Sequence, residues 1–287
     1  MTAAVPAGPA RRHLGRQRWA RTLCAACGIL TVIAVAAGGT AWVRGWRTHA
    51  MTTPSMGTAA PVGTLVVSRP VAIGALRVGQ IIVFHPPGRA HTTFAHRIYA
   101  LTAEPGGPGI RTKGDINGTP DQWVLHQGDL VGKAVATIPD AGYAIQLLPL
   151  LLLGAFVILL ATSGLAAPVR GPARNAGGSL LVAALLLHFH PLERVDLIEQ
   201  HVAHGRGVAT VVPTGILPVE ISAAGGSRAV AAPGQPAVVH LAHVPANGGF
   251  HIATTIHLSG WWWLTLAAWM IPMLVALRPV RQGIRMS

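Results

Sequence analysis

Long apolar stretches alternate with more polar segments along this chain. Three of them, at 22–43, 144–167 and 260–277, are almost free of charge. A helix rises about 1.5 Å per residue and a bilayer core is roughly 30 Å thick, so each of the three predicts a transmembrane helix. A shorter stretch, 177–190, ends in His188 and His190. Its length predicts a short span or a re-entrant segment.

Arginines mark the ends of these stretches. Five precede the first stretch, two lie in 168–176, and three follow the last: Arg11, Arg12, Arg16, Arg18, Arg21, Arg170, Arg174, Arg278, Arg281 and Arg285. Basic residues collect on the cytoplasmic side of a membrane. We therefore expect a cytoplasmic tail at 1–21, a cytoplasmic loop at 168–176 and a cytoplasmic tail at 278–287. Both of the last two can be cytoplasmic only if 177–190 crosses, which predicts a multi-pass protein of the cell membrane.

The two segments left outside, 44–143 and 191–259, carry short β-type runs between glycine and proline turns. The runs lie at 65–67, 81–84, 123–125, 130–135, 208–212, 219–222, 238–242 and 251–257. The expected fold is a multi-span membrane protein with a mainly-β extracytoplasmic domain and a second small β segment.

Composition agrees with a membrane protein. Hydrophobic residues make up 51% of the chain and charged residues 11%, whereas a soluble domain is about 25% charged. The net charge of +13 could indicate a nucleic-acid binder. Because the arginines flank apolar stretches, we expect the lipid bilayer to be the partner, and no nucleic acid.

The sequence gives no sign of a metal or cofactor. Cys24 and Cys27 form a Cys-x-x-Cys pair, which can be a redox or metal site. Here the pair lies inside the first apolar stretch with no second pair, so two small side chains in lipid are the favoured interpretation. The 14 histidines show no tight metal-ligand spacing.

Residues able to do chemistry concentrate in 44–143. Asp115 and Asp121 are two of only nine acidic residues and share the motif Thr-Lys-Gly-Asp-Ile-Asn-Gly-Thr-Pro-Asp at 112–121. On spacing alone this motif is typical of a polar turn. It is preceded by Thr-Pro-Ser-Met at 53–56, Val-Gly-Gln-Ile-Ile-Val-Phe at 78–84 and His-Arg-Ile at 96–98.

In this order after a membrane anchor, the four motifs resemble the signal peptidase I family. The closer likeness is to the branch of the endoplasmic reticulum, archaea and some Gram-positive bacteria. It covers about 44–143. The resemblance implies a signal peptidase-like β fold and a membrane-bound serine endopeptidase that removes signal peptides from exported preproteins. It implies cleavage after small residues at the outer face of the membrane, and it allows an accessory membrane subunit.

The usual bacterial branch of the family pairs its serine with a lysine. This chain has two lysines, Lys113 and Lys133, both in the later motifs, and the position of the catalytic lysine reads His96. The resemblance therefore implies a serine, histidine and aspartate set. Serine needs an adjacent base, histidine can supply it near neutral pH, and a carboxylate can orient the imidazole.

The family match assigns the individual roles. Ser55 is the expected nucleophile and His96 the general base, with Asp121 favoured over Asp115 as the orienting carboxylate. The residue two before the nucleophile, Thr53, is a candidate oxyanion donor, with a plain loop threonine as the alternative.

Family members bind their substrate as an added strand. The candidate substrate contacts are Met56, Val66, Ile82 and Phe84, with packing in the core as an equal alternative. The chain also departs from the family pattern at several positions, namely Pro54, Gly57, Thr58 and Gln80. These departures leave open a catalytically inactive relative that acts as a membrane assembly or scaffold factor. A transporter is disfavoured, because the long apolar stretches carry no ionisable residues.

Overall fold

The computed structural model describes residues 35–189, 192–203, 206–223, 225–242 and 251–257, with scattered positions at 25–33 and 260–264. The chain divides into two compact units, residues 1–47 and 48–287. In the first unit, residues 35–43 are helical. The predicted tails 1–21 and 278–287, both cysteines and most of the predicted span 260–277 lie outside the described residues.

The first sheet is built from six strands. They are β1 (Arg47–Ala50), β2 (Leu65–Arg69), β3 (Ile81–Phe84), β4 (Phe94–Glu104), β5 (Gly107–Lys113) and β6 (Leu130–Ile138), in the order β1-β2-β6-β3-β4-β5. The predicted runs 65–67, 81–84 and 130–135 lie in β2, β3 and β6. Of the predicted run 123–125, only Leu125 pairs, in an isolated bridge to Ile110.

Strand β3 is central and buried on both faces. Its antiparallel partners are β4 and β6. Val83 packs in one hydrophobic cluster, whereas Ile82 and Phe84 pack in another. Successive side chains of a strand point to opposite faces, so a run that is apolar at every position forms two cores at once.

Three 3-10 helices join these strands, at Pro54–Ala59, Ile73–Ala75 and Gln127–Asp129. The first of them follows β1 and begins with Pro54, whose ring favours the first helical turn. Met56 and Gly57 inside this helix are buried. The helix is thereby packed into the first sheet.

Two helices follow the first sheet, α1 (Ala141–Ala161) and α2 (Ala167–Phe189). Among the described residues, α1 is the one helix long and apolar enough to cross a membrane. The predicted loop 168–176 is helical and belongs to α2, as do residues 177–189 of the predicted third span. Within the described residues the structure therefore gives one candidate span where several were predicted. The predicted span 177–190 is not one, since its helix carries Arg170 and Arg174 near its start and His188 near its end. The predicted spans 22–43 and 260–277 are described only in part.

The two helices contact each other through small residues. A Cβ added at Gly154 of α1 would collide with the Leu181 side chain, and one at Gly177 of α2 would lie 3.1 Å from Ile158. Arg174 donates from Nε to Thr162 Oγ1 at 3.1 Å, close to the turn between them. The helices form an antiparallel hairpin.

The remaining strands form a two-sheet sandwich. They are β7 (Val195–Ala203), β8 (Arg206–Pro213), β9 (Val219–Ala223), β10 (Arg228–Ala231), β11 (Ala237–Leu241) and β12 (Ile252–Ile256). One sheet has the order β10-β9-β12 and the other β11-β8-β7. A single hydrophobic cluster fills the space between them. With the two helices, the described fold is mixed α/β with antiparallel sheets.

Candidate active site

The candidate site lies where three segments of the first sheet meet. Ser55 is in the 3-10 helix Pro54–Ala59, His96 is in β4, and Asp121 follows β5. His96 is opposite Ile82 in the register of β3 and β4. Its ring is 3% exposed, so a central strand holds a titratable side chain inside the protein.

Ser55, His96 and Asp121 form one hydrogen-bonded chain. His96 Nε2 is 3.0 Å from Ser55 Oγ, and His96 Nδ1 is 2.7 Å from Asp121 Oδ2. An ionised carboxylate can only accept, so Nδ1 carries the proton and Nε2 accepts from the Ser55 hydroxyl. This is the arrangement in which an imidazole can take the proton of a serine.

Thr112 supports the carboxylate from β5. Its Oγ1 donates to Asp121 Oδ2 at 2.5 Å, and Asp121 N donates to Thr112 O at 2.8 Å. Thr112 is fully buried. The sequence analysis assigned Thr112 no role. Its position as the first residue of the motif 112–121 was the one feature that could have pointed to it.

Asp115 has a different partner from Asp121. It accepts from Arg97 Nε at 2.8 Å and from Arg97 Nη2 at 2.6 Å, and Arg97 Nη1 donates to Gly79 O at 2.8 Å. The hydrogen bonds that Arg97 donates to Asp115 raise the pKa of the Arg97 guanidinium, although burial opposes this. The structure thus places Asp121, and not Asp115, against the imidazole. Asp115 thus connects Arg97, the residue after His96, to the motif 112–121.

Two phenylalanines pack around the imidazole. The ring centres of Phe84 and Phe94 lie 6.0 Å and 5.6 Å from that of His96, and Phe84 meets it edge-on. Such aromatic contacts restrict ring orientation. Phe94 was not singled out in the sequence.

The backbone of Ser55 is held by the motif 112–121. Ile116 N donates to Ser55 O at 3.1 Å, and a Cβ at Gly114 would lie 2.7 Å from the same oxygen. Thr53 Oγ1 is exposed and lies 3.4 Å from Ser55 Oγ. The predicted oxyanion donor is therefore next to the nucleophilic oxygen.

The four predicted substrate contacts are core residues. Met56, Val66, Ile82 and Phe84 are each fully buried. Met56 and Val66 pack in one cluster, and Ile82 and Phe84 in the other. They occupy inward positions of tightly packed elements, so their side chains do not line an open surface.

Within the part of the chain that the structure describes, no three His, Cys, Asp or Glu residues group as metal ligands would. No protein-family model matches the chain, and no curated protein matches it.

Proposed function

We propose that this protein is a membrane-bound serine endopeptidase of the signal peptidase type. It removes signal peptides from exported preproteins at the outer face of the membrane and cuts after small residues. The observation that carries the proposal is the continuous contact from Ser55 Oγ to His96 to Asp121, at 3.0 Å and 2.7 Å. An inactive scaffold relative has no need of this arrangement.

The chemistry follows from the positions of the atoms. Ser55 Oγ attacks the carbonyl carbon of the scissile peptide while His96 Nε2 takes the hydroxyl proton. The tetrahedral intermediate collapses, the C–N bond breaks, and the imidazolium returns that proton to the leaving amine. Water then hydrolyses the acyl-enzyme by the same route. Asp121 keeps the proton on Nδ1 and stabilises the imidazolium.

Thr53 is the proposed side-chain donor to the oxyanion. Removing one such donor typically costs a factor of about 10²–10³ in kcat. Ser55 N–H is the second proposed donor, because Pro54 has no N–H to offer.

The membrane arrangement is also proposed here. Helix α1 is 21 residues long and its apolar side chains are exposed, which suits a crossing of the bilayer. In the proposed orientation the first sheet and the sandwich are extracytoplasmic, and the turn between α1 and α2 is cytoplasmic with Arg170 and Arg174. Helix α2, the segment 22–43 and the segment 260–277 complete a multi-pass protein. An accessory membrane subunit and a role for the sandwich in selecting substrates fit this scheme.

The test is cleavage of a preprotein with an Ala-x-Ala site by the purified full-length protein. We expect the wild type to cut after the second alanine and Ser55→Ala to be inert. Ser163→Ala is the matched control, since Ser163 is an exposed serine whose hydroxyl donates to Leu160 O at 2.7 Å, within its own turn. It should cut like the wild type.

Two results would count against the proposal. Equal cleavage by Ser55→Ala and the wild type would exclude the serine mechanism. If the wild type cleaves none of a panel of preproteins, even in native membranes, the protein would instead be a catalytically inactive relative that acts as a scaffold.

A further inference from the structure

The turn between β10 and β11 is a rigid Pro-Gly turn. It reads Ala232-Pro233-Gly234-Gln235, Gln235 N donates to Ala232 O at 3.0 Å, and Gly234 has φ +74°. Proline at the second position and a positive φ at the third define a type II turn. Gln235 Oε1 accepts from Ala232 N at 3.2 Å, and Gly234 N donates to Pro213 O at 2.8 Å. The turn is thus fixed internally and held against the end of β8.

This turn contacts the helix that carries the nucleophile. A Cβ added to Gly234 would collide with Gly57 O and would lie 3.1 Å from Pro61 Cγ. Gly57 and Gly234 are both buried. The two main chains therefore pack directly on each other, with no space for a side chain between them.

Gly57 is confined from the other side as well. It has φ +53°, and a Cβ there would lie 2.6 Å from Ile116 Cγ2. Ile116 belongs to the motif whose backbone holds Ser55 O. The segment 55–57 is consequently clamped between the motif 112–121 and the turn of the sandwich. A second contact, from Tyr143 Oη to Thr214 O at 2.6 Å, fixes the sandwich near the start of α1.

We infer that the sandwich is a structural part of the catalytic site, and that Gly234 is a positioning residue for Ser55. The Pro233-Gly234 turn fixes the position of the main chain at Gly57. It thereby keeps Ser55 Oγ within hydrogen-bond distance of His96. The inference rests on the proposed peptidase function, and it gives the sandwich a task independent of which preprotein is cut.

Gly234→Ala tests the contact, and Gly225→Ala is its matched control. Gly225 lies in the turn between β9 and β10 and also has a positive φ, +66°. Among the described residues, a Cβ there would meet only Ala242, at 3.8 Å. Both variants place alanine in a left-handed conformation, but only Gly234→Ala pushes on the nucleophile segment.

Two readouts on the full-length protein separate positioning from loss of fold. Displacing a reacting group by 1 Å can cost about 10²-fold in rate, so Gly234→Ala should lower kcat about 100-fold and leave KM within about twofold. In the same variant, hydrogen exchange of peptides covering 54–60 should become faster. Gly225→Ala should match the wild type in both measurements.

A wild-type result for Gly234→Ala, or equal losses in both variants, would overturn the inference. If Gly234→Ala does not fold, Pro233→Ala loosens the same turn without adding bulk, and the exposed Pro236 provides the control Pro236→Ala. Absence of cleavage by the wild type would defeat the proposed function only. The exchange rates at 54–60 would then decide the positioning role by themselves.

Discussion

At the scale of single residues, two aspartates six positions apart have different partners. Asp121 accepts from His96 Nδ1, and Asp115 accepts twice from Arg97. The sequence placed both carboxylates in one motif and favoured Asp121 as the orienting carboxylate, with Asp115 as the competing candidate. The choice depends on the path of the backbone from Gly114 to Asp121, which no spacing rule supplies. The hydrogen bond from the buried Thr112 hydroxyl, which orients the Asp121 carboxylate, depends on the same backbone path.

Exchanging each aspartate for asparagine should separate the two roles. Asp121→Asn should lower kcat/KM on the order of 10³- to 10⁴-fold, because the imidazole loses the carboxylate that stabilises its charged form. Asp115→Asn should lower it by no more than about tenfold and reduce the free energy of unfolding by about 1 kcal/mol, since the Arg97 pair is partly exposed. Steady-state kinetics and thermal melts of both variants check this. A larger kinetic loss in Asp115→Asn would reverse the assignment.

At the scale of elements, apolar patterning indicated β2, β3 and β6 but missed the hairpin of β4 and β5. The reason is the site itself. Strand β4 buries His96 and pairs Arg97 with Asp115, so polar residues occupy positions where an ordinary strand would show apolar alternation. Burial of Thr112 has the same effect in β5. The core residues Met56 and Phe84 were open to either interpretation, because an inward side chain and a substrate contact look alike in a sequence.

The start of α1 is another element-level feature that the sequence did not reveal. Gly142 N donates to Gly63 O at 2.8 Å, and a Cβ at Gly142 would lie 2.6 Å from that oxygen. The ring of Tyr143 covers Gly63, which has φ +85°. The helix is thus fixed to the turn that precedes β2, by a contact between glycines that are far apart in the chain.

Alanine at Gly142 should therefore destabilise the protein, and alanine at Gly171 should not. Gly142→Ala forces the helix away from Gly63 and should cost about 1–3 kcal/mol, the usual range for overpacking. Gly171 lies in α2, and a Cβ added there would meet no atom of the described residues within 4 Å. Gly171→Ala should therefore add up to about 1 kcal/mol through helix propensity. Unfolding of the two variants in detergent, followed by tryptophan fluorescence, measures both changes. Equal shifts would show that the contact at Gly63 contributes nothing.

At the scale of the whole molecule, the contacts of the sandwich constrain the path of the helices. Helix α1 leaves the first sheet at Gly142, and α2 leads back into the sandwich, which contacts Gly57 and Tyr143. The first sheet and the sandwich must therefore lie on the same side of any membrane that α1 crosses. If α1 crosses, α2 has to return, and this agrees with the arginine pattern although α2 is less apolar than α1.

Labelling of single cysteines can test this arrangement in intact cells. After both native cysteines are replaced, Val78→Cys in the turn before β3 and Val238→Cys in the sandwich should react with a maleimide that cannot cross membranes, because both positions are exposed. Ser163→Cys, in the exposed turn between α1 and α2, should react only after the membrane is permeabilised. Labelling at Ser163 in intact cells would place that turn outside, so that α1 and α2 would not cross as a pair. Protection of Val238 together with labelling of Val78 would separate the sandwich from the first sheet, and would contradict the contact between Gly57 and Gly234 as well.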